Sequence, residues 1–140
     1  RVDMADLSGS TPLHHACAER GRAAVVDRLL ELGAPADARR DDGRTPLHVA
    51  CRGHANPVPL LRALLQRGGV APSPRDAKGM TPLMHCAAAG NAQGVSLMLR
   101  FGGEEAARWA DEDGRDALDH ALAGRGDAGA VQRLLAAGLP

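Results

Sequence analysis

Aromatic residues are nearly missing from this sequence: one Trp, one Phe and no Tyr in 140 residues. An aromatic cage for a methylated lysine therefore cannot be assembled. The 44% hydrophobic content is enough for a core, but that core must be built from Ala, Leu and Val. Excess charge is missing too. Seventeen Lys plus Arg balance seventeen Asp plus Glu, which removes the broad positive field behind sequence-independent nucleic-acid binding and weakens any membrane-surface attraction. No apolar run approaches the roughly 20 residues of a membrane span, and the opening RVDMADLSGS lacks a signal-peptide apolar region. Cysteine is scarce: Cys17, Cys51 and Cys86 form an odd set without dense spacing, so a reducing, intracellular setting, cytoplasmic or nuclear, is expected. The chain begins with Arg1 rather than Met, and the expectation is an excerpt of a longer protein.

What is present is self-similarity. TPLHHA starts at Thr11, TPLHVA at Thr45, TPLMHC at Thr81 and a degenerate DALDHA at Asp116, with steps of 34, 36 and 35 residues. A second ladder pairs Leu29 and Leu30 with Gly33, Leu64 and Leu65 with Gly68, Met98 and Leu99 with Gly102, and Leu134 and Leu135 with Gly138. A third places Gly9, Gly43, Gly79 and Gly114 two residues before each helix start. Each unit reads as glycine turn, short helix, tight turn, longer helix, glycine stop.

The residue types explain that reading. A Thr hydroxyl at the N-cap accepts from an unpaired backbone N–H, and Pro at N1 has no N–H to satisfy. His14 and His48 then fall at N3, where an imidazole can reach back to the cap as Glu does in a capping box. In the last unit Asp116 is the cap and Asp119 takes N3, an acid at the positive end of the helix dipole. Val25, Val26, Leu29 and Leu30, and in the same register Leu60, Leu61, Leu64 and Leu65, make one apolar stripe. At roughly 1.5 to 3 kcal/mol per buried aliphatic side chain the stripe drives stacking, and only neighbouring units can cover it. The closing glycines fit a left-handed C′ position.

TPLH, the small residue that follows, the paired aliphatics and the glycine before a loop resemble the ankyrin repeat over essentially the whole chain. The resemblance implies an all-α solenoid of stacked helix-turn-helix units with projecting hairpin-like loops. Repeats are expected near 6–40, 41–75, 76–110 and 111–140, within a single domain spanning 1–140. The turn between helices is lengthened in the first, second and fourth units, and the loop after Gly102 is longer than the family usual. Neither end carries a clearly polar capping unit, so further structure is expected on at least one side.

A few residues could carry chemistry on this scaffold. His14 and Cys17 lie three apart on a helix, and His85 adjoins Cys86, spacings that can bring two metal ligands together. Cys17 and Cys51, however, share a small-residue place in their units and Cys86 matches Ala16 and Ala50, so cysteine reads as a small buried hydrophobe and no metal or cofactor is assigned. His15, His85 and His120 recur at one place in their units, where Val49 stands in the second. A position that repeats points to packing or surface, not to one assembled active site. No serine elbow, phosphate-cradling loop or carboxylate pair accompanies them, and no catalytic residue is assigned. Asp41, Asp42, Glu112 and Asp113 lack the alternating-oxygen loop of a calcium site and read as turn-setting or solvated acids.

The remaining reading is a protein-interaction module. By the register that the resemblance implies, the loop tips (Ser8, Ser10, Asp42, Arg44, Lys78, Met80, Asp113 and Arg115) and the first-helix residues Glu19, Arg20, Arg52, Ala88 and Ala89 line a concave groove for a protein or peptide. Arg20, Arg22, Arg40, Arg44 and Arg52 concentrate in the first two units, which suits a partner with an acidic segment through bidentate pairing, against the plainer reading of a solvated face. Met80, Ala88 and Ala89 would give an apolar patch. Trp109 either covers the end of the aliphatic stack or stands out as a binding anchor. The alternative is a substrate-recognition arm of a larger protein, such as a ubiquitin-ligase adaptor or an enzyme with its catalytic domain elsewhere; an unoccupied structural spacer is the third reading.

Overall fold

Three TP dipeptides and one aspartate open the short helices where the spacing predicts. The computed structural model describes residues 4–18, 23–53, 58–67, 69–70, 74–124 and 128–137, apart from the side chains of residues 53 and 103–106. The short helices are α1 (Pro12–Ala18), α3 (Pro46–Gly53), α5 (Pro82–Ala88) and α7 (Ala117–Ala123). Alternating with them are α2 (Ala23–Glu31), α4 (Val58–Arg62), α6 (Ala92–Arg108) and α8 (Ala128–Ala136), with α4 running on into a π-helical turn at Ala63–Arg67. Among the described residues there is no strand, so the helix is the sole regular element, as expected of an all-α fold. No helix is long and apolar enough to cross a membrane among the described residues.

The helix starts are closed as their residue types require. Thr81 Oγ1 accepts from the Met84 amide at 3.3 Å. Asp116 and Asp119 form a reciprocal capping box, Asp119 N to Asp116 Oδ1 at 2.9 Å and Asp116 N to Asp119 Oδ2 at 3.1 Å. At the first two starts the reach-back comes from histidine: the Thr11 amide donates to His14 Nδ1 and the Thr45 amide to His48 Nδ1, both at 3.1 Å.

Two layers result, one of α1, α3, α5 and α7 in succession, the other of the second helices, with α6 packing against both α4 and α8. The core between them is aliphatic, with Leu13, Leu47, Leu61, Leu64 and Leu134 at 1% exposure or less. The stripe is complete in the second unit, where Leu60, Leu61, Leu64 and Leu65 are all buried. In the first unit Val26 is buried, Leu29 and Leu30 half-buried and Val25 exposed; among the described residues α2 meets one neighbouring unit, through α4 and the 63–67 turn. All three cysteines are buried thiols. Burial pushes the Cys17 thiol up to about 12 and the Cys51 thiol above its ordinary range as well, the signature of packing thiols, not reactive ones.

The glycine stops need correction. Gly33 takes φ +88° as expected, but Gly102 does not end its helix. α6 continues through it and through Gly103 to Arg108, since each glycine inside a helix costs only about 1 kcal/mol and the following Glu and Ala residues favour helix. Trp109 therefore follows a helix end rather than lying inside a long loop. In the second unit the left-handed residue is Gly69, φ +61°; Gly68 and Gly138 lie outside the described residues, as do the lengthened turns at 19–22, 54–57 and 125–127. The third unit turns tightly, at Gly90 with φ +72°, and Asn91 Oδ1 accepts from the Gly94 amide at 2.8 Å to start α6.

Candidate partner-binding surface

Each first helix is preceded by the same backbone turn, written four times. Asp6 N donates to Ser10 O and Gly9 N to Asp6 O; Arg40, Asp76 and Asp111 repeat both bonds to Arg44, Met80 and Arg115 and from Gly43, Gly79 and Gly114, all at 2.8–3.0 Å. The glycine takes φ of +78° to +81° in every copy, a region that a Cβ disfavours. Successive turns are joined by single bonds, Asp41 N to Ser8 O, Ala77 N to Asp42 O and Glu112 N to Lys78 O, each 3.0 Å. Arg39 adds a bridge, its Nη1 donating to Gly43 O at 3.0 Å and to Arg75 O at 2.6 Å. The turns form a laddered row, not independent loops.

An Asp–His pair braces three of the four turns. Asp6 Oδ1 accepts from the amides of Ser8 and Ser10, while its Oδ2 faces His15 Nε2 at 2.9 Å. Asp76 does the same with Lys78, Met80 and His85 (Nε2 to Oδ2, 3.0 Å), and Asp111 with Asp113, Arg115 and His120 (2.7 Å). In the second unit both partners are exchanged together, for Arg40 and Val49. There Asp42 Oδ1 caps the Arg44 amide at 3.1 Å, and Arg40 Nε sits 3.7 Å from the same oxygen, buried and without a hydrogen bond of its own. The aspartates were missed in the sequence although their signal was there: an acid nine residues before each of the recurring histidines.

A second set of histidines ties unit to unit. His14 Nε2–H donates to Arg44 O at 3.0 Å and His48 Nε2–H to Met80 O at 2.9 Å. With Nδ1 accepting from a threonine amide, both rings are held as the neutral Nε2–H tautomer, and burial lowers the pKa of both. His85 meets His48 edge to face, centroids 5.2 Å apart. Burial foremost, with Arg44 nearby and against the pull of Asp76, lowers its pKa to about 4. Asp76 is itself held below the usual carboxylate range: burial opposes ionisation, but the bonds from His85, Met80 N and Lys78 N outweigh it. His48, Asp76 and His85 thus converge with donor atoms within 4.8 Å, where the sequence offered His14 with Cys17 and His85 with Cys86. Every ring nitrogen in the trio already has a hydrogen-bond partner, which fits a brace better than a set of metal ligands.

The expected contact residues divide by exposure. Ser8, Lys78, Asp113, Arg115 and Arg52 are exposed, and Asp42, Arg44, Ala88 and Ala89 are half-buried. Ser10 and Met80 are turned inward, 5% and 8% exposed, so Met80 is no tip-mounted anchor; its amide donates to Asp76 Oδ1 and its carbonyl accepts from His48 of the preceding unit. Glu19, Arg20 and Arg22 lie outside the described residues. The arginines differ in their compensation. Arg44 Nε lies 3.6 Å from Asp42 and 3.8 Å from Asp76, whereas Arg52 has no carboxylate partner among the described residues and only touches His85 Nδ1 at 3.4 Å. Trp109 is 38% exposed, with the Arg75 guanidinium 5.0 Å over its ring. It is neither in the core nor fully presented.

Comparison with known proteins agrees with the repeated geometry. A family model described as ankyrin repeats in three copies matches residues 1–70 and again 54–139. The chain is 40% identical over 95 residues to human SH3 and multiple ankyrin repeat domains protein 1, which covers 67% of this chain and 4% of that protein. It is 35% identical over 116 residues to mouse Rabankyrin-5, covering 81% and 9%. It is 34% identical over 113 residues to the tyrosine-protein kinase HTK16 of Hydra vulgaris, covering 80% and 14%. The chain thus spans less than a sixth of the length of each of these relatives.

Proposed function

The chain belongs to the ankyrin-repeat family, and on that premise we propose that it is a protein-interaction module whose ligand is a partner protein or peptide held along the turn row and the first helices. The observation that carries this reading is the ladder of bonds linking Ser8 to Asp41, Asp42 to Ala77 and Lys78 to Glu112. A row held in register presents Ser8, Lys78, Asp113 and Arg115 at fixed spacing, so little entropy is lost on binding. Arg52, without an acid partner, is the first-helix residue best suited to an acidic segment. Arg44 is less suited, because Asp42 and Asp76 already share its charge.

Affinity capture followed by mass spectrometry, comparing the wild-type chain with R52E/K78E/R115E, tests the assignment. Loss of the captured partner in the variant, with an unchanged circular-dichroism spectrum, supports it; retention at low salt sinks it. R44E is a poor reagent here, since it sets a carboxylate beside buried Asp76.

The second reading, a recognition arm within a larger protein, draws support from the small share of each relative that the chain covers, one of them a kinase by name. Ubiquitin-ligase adaptor or enzyme targeting arm are the forms it would take. Sequencing the complete transcript decides between them: a catalytic or ligase-recruiting domain in the same chain favours the arm.

A further inference from the structure

The opposite layer carries a charge arrangement that the turn row does not use. A groove of about 230 Å³ opens between the second helices, walled by Arg62 of α4, Arg100 of α6 and Arg133 of α8, with Val58 and Leu97 supplying apolar surface and no carboxylate among its described lining residues. Arg133 is fixed there, its Nη1 donating to Ala92 O and Ser96 Oγ at 2.8 Å each. Arg62 and Arg100 are exposed, and among the described residues neither is paired with an acid. Along the same layer the contrast is plain. Arg28 pairs with Glu31, and Arg67 with both Asp27 and Glu31. In a chain whose formal charges cancel, three arginines from three successive second helices, around a groove with no acid among its described lining residues, form a local positive field.

We infer that this groove is a second docking site, for an acidic segment of a partner polypeptide that seats its carboxylates on Arg62 and Arg100 and an apolar side chain against Val58 and Leu97. The volume is below the roughly 300 Å³ at which small-molecule pockets begin, so it takes a few side chains of a chain lying across the helices. Guanidinium groups accept carboxylates in bidentate fashion, and the apolar surface between them sets a spacing that a free inorganic anion cannot exploit. The site lies on the helices opposite Arg52 and the turn row. Its failure would leave the turn-row reading standing, and the reverse also holds.

The test is an NMR titration of the ¹⁵N-labelled chain with a short acetylated and amidated peptide of alternating Glu and Leu. Saturable shifts centred on the amides of Arg62, Gln93, Ser96, Leu97 and Arg100 are expected, strengthening as ionic strength falls. R62E/R100E is expected to weaken the affinity at least about tenfold, R62Q/R100Q by less, and R52E to leave it unchanged. Absence of saturable shifts at low salt would overturn the proposal, as would equal affinity in R62E/R100E. So would shifts produced only by inorganic phosphate or by vesicles of anionic phospholipid, and not by the peptide.

Discussion

His85 Nε2 lies 3.0 Å from Asp76 Oδ2, and both side chains are buried, at 0% and 2% exposure. The same pair recurs at the surface as His15 with Asp6, 60% and 45% exposed. One local motif is thus used in two dielectric settings, and its energetic weight must differ between them. Asp76→Ala is expected to lower stability by about 2–4 kcal/mol, because it strands a buried imidazole and two turn amides. Asp6→Ala frees an exposed imidazole and the exposed Ser8 amide to water, leaving only the inward Ser10 amide unpaired, so its cost is expected to be clearly the smaller. Urea unfolding of the two variants, read at matched slope, checks the ranking; equal losses would show that burial of the Asp76–His85 pair does not set its weight.

Acid is expected to unfold the chain earlier than its carboxylates alone would dictate. The folded pKa of His85 is about 4, below the roughly 6.5 of a free imidazole, so the unfolded chain binds the proton more readily. Stability is then full above pH 6.5 and falls as pH drops toward 4, and His14 and His48 add in the same direction. Asp76, lowered, adds a further loss below its unfolded pKa of about 3.9. Urea midpoints at pH 7 and pH 4.5 measure the first window, and substituting His85 by Gln is expected to flatten it.

The glycines of the turns are predicted to differ in cost although their φ angles match. A Cβ on Gly43 would stand 2.6 Å from Ala77 N, within the next turn, whereas one on Gly114 meets nothing within 4 Å. Gly114→Ala therefore carries only the left-handed penalty, about 1–2 kcal/mol. Gly43→Ala adds displacement of the adjoining turn and is expected to cost more, read as a larger drop in melting temperature. Gly124→Ala belongs with the costly group, since its Cβ would collide with the Ala88 carbonyl oxygen.

Trp109 serves as a reporter of the α6 terminus. Half-exposed and covered on one face by Arg75, it is expected to be reached by acrylamide at an intermediate rate. Arg75→Ala removes the cover and a cation–π contact worth about 0.5–1 kcal/mol at an exposed site, so quenching should rise while the fold persists. Unchanged quenching would mean that the guanidinium does not shield the ring.

Much of this architecture was legible without coordinates. The 34- to 36-residue steps, the Thr-Pro starts and the paired leucines each follow from local chemistry: a cap needs a hydroxyl, N1 tolerates proline, and an aliphatic stripe needs cover. The role of His14 and His48 at their own helix starts was equally visible. Their second bond, to the carbonyls of Arg44 and Met80, was not, since it crosses 30 and 32 residues and depends on how closely the units stack. The Asp–His braces fall between these cases, periodic in the sequence but meaningful only once the turn brings positions nine apart together.

Caps, turns and amphipathic spacing act over a few residues, so the repeating helix pairs and the aliphatic material between them follow from the order of residues alone. What each copy became depends on how the units stack. Leu60, Leu61, Leu64 and Leu65 are buried in the second unit while Val25 in the first is exposed, since a unit with neighbours on both sides buries more of the same stripe. Helix α6 ran past Gly102 and Gly103, because their cost is outweighed by the helical preference of the Glu and Ala residues that follow. Met80 turned inward, and Arg44 acquired Asp76 as a neighbour 3.8 Å away, leaving Arg52 the freer charge. Those outcomes depend on desolvation and on contacts between units, quantities that no single unit's sequence contains.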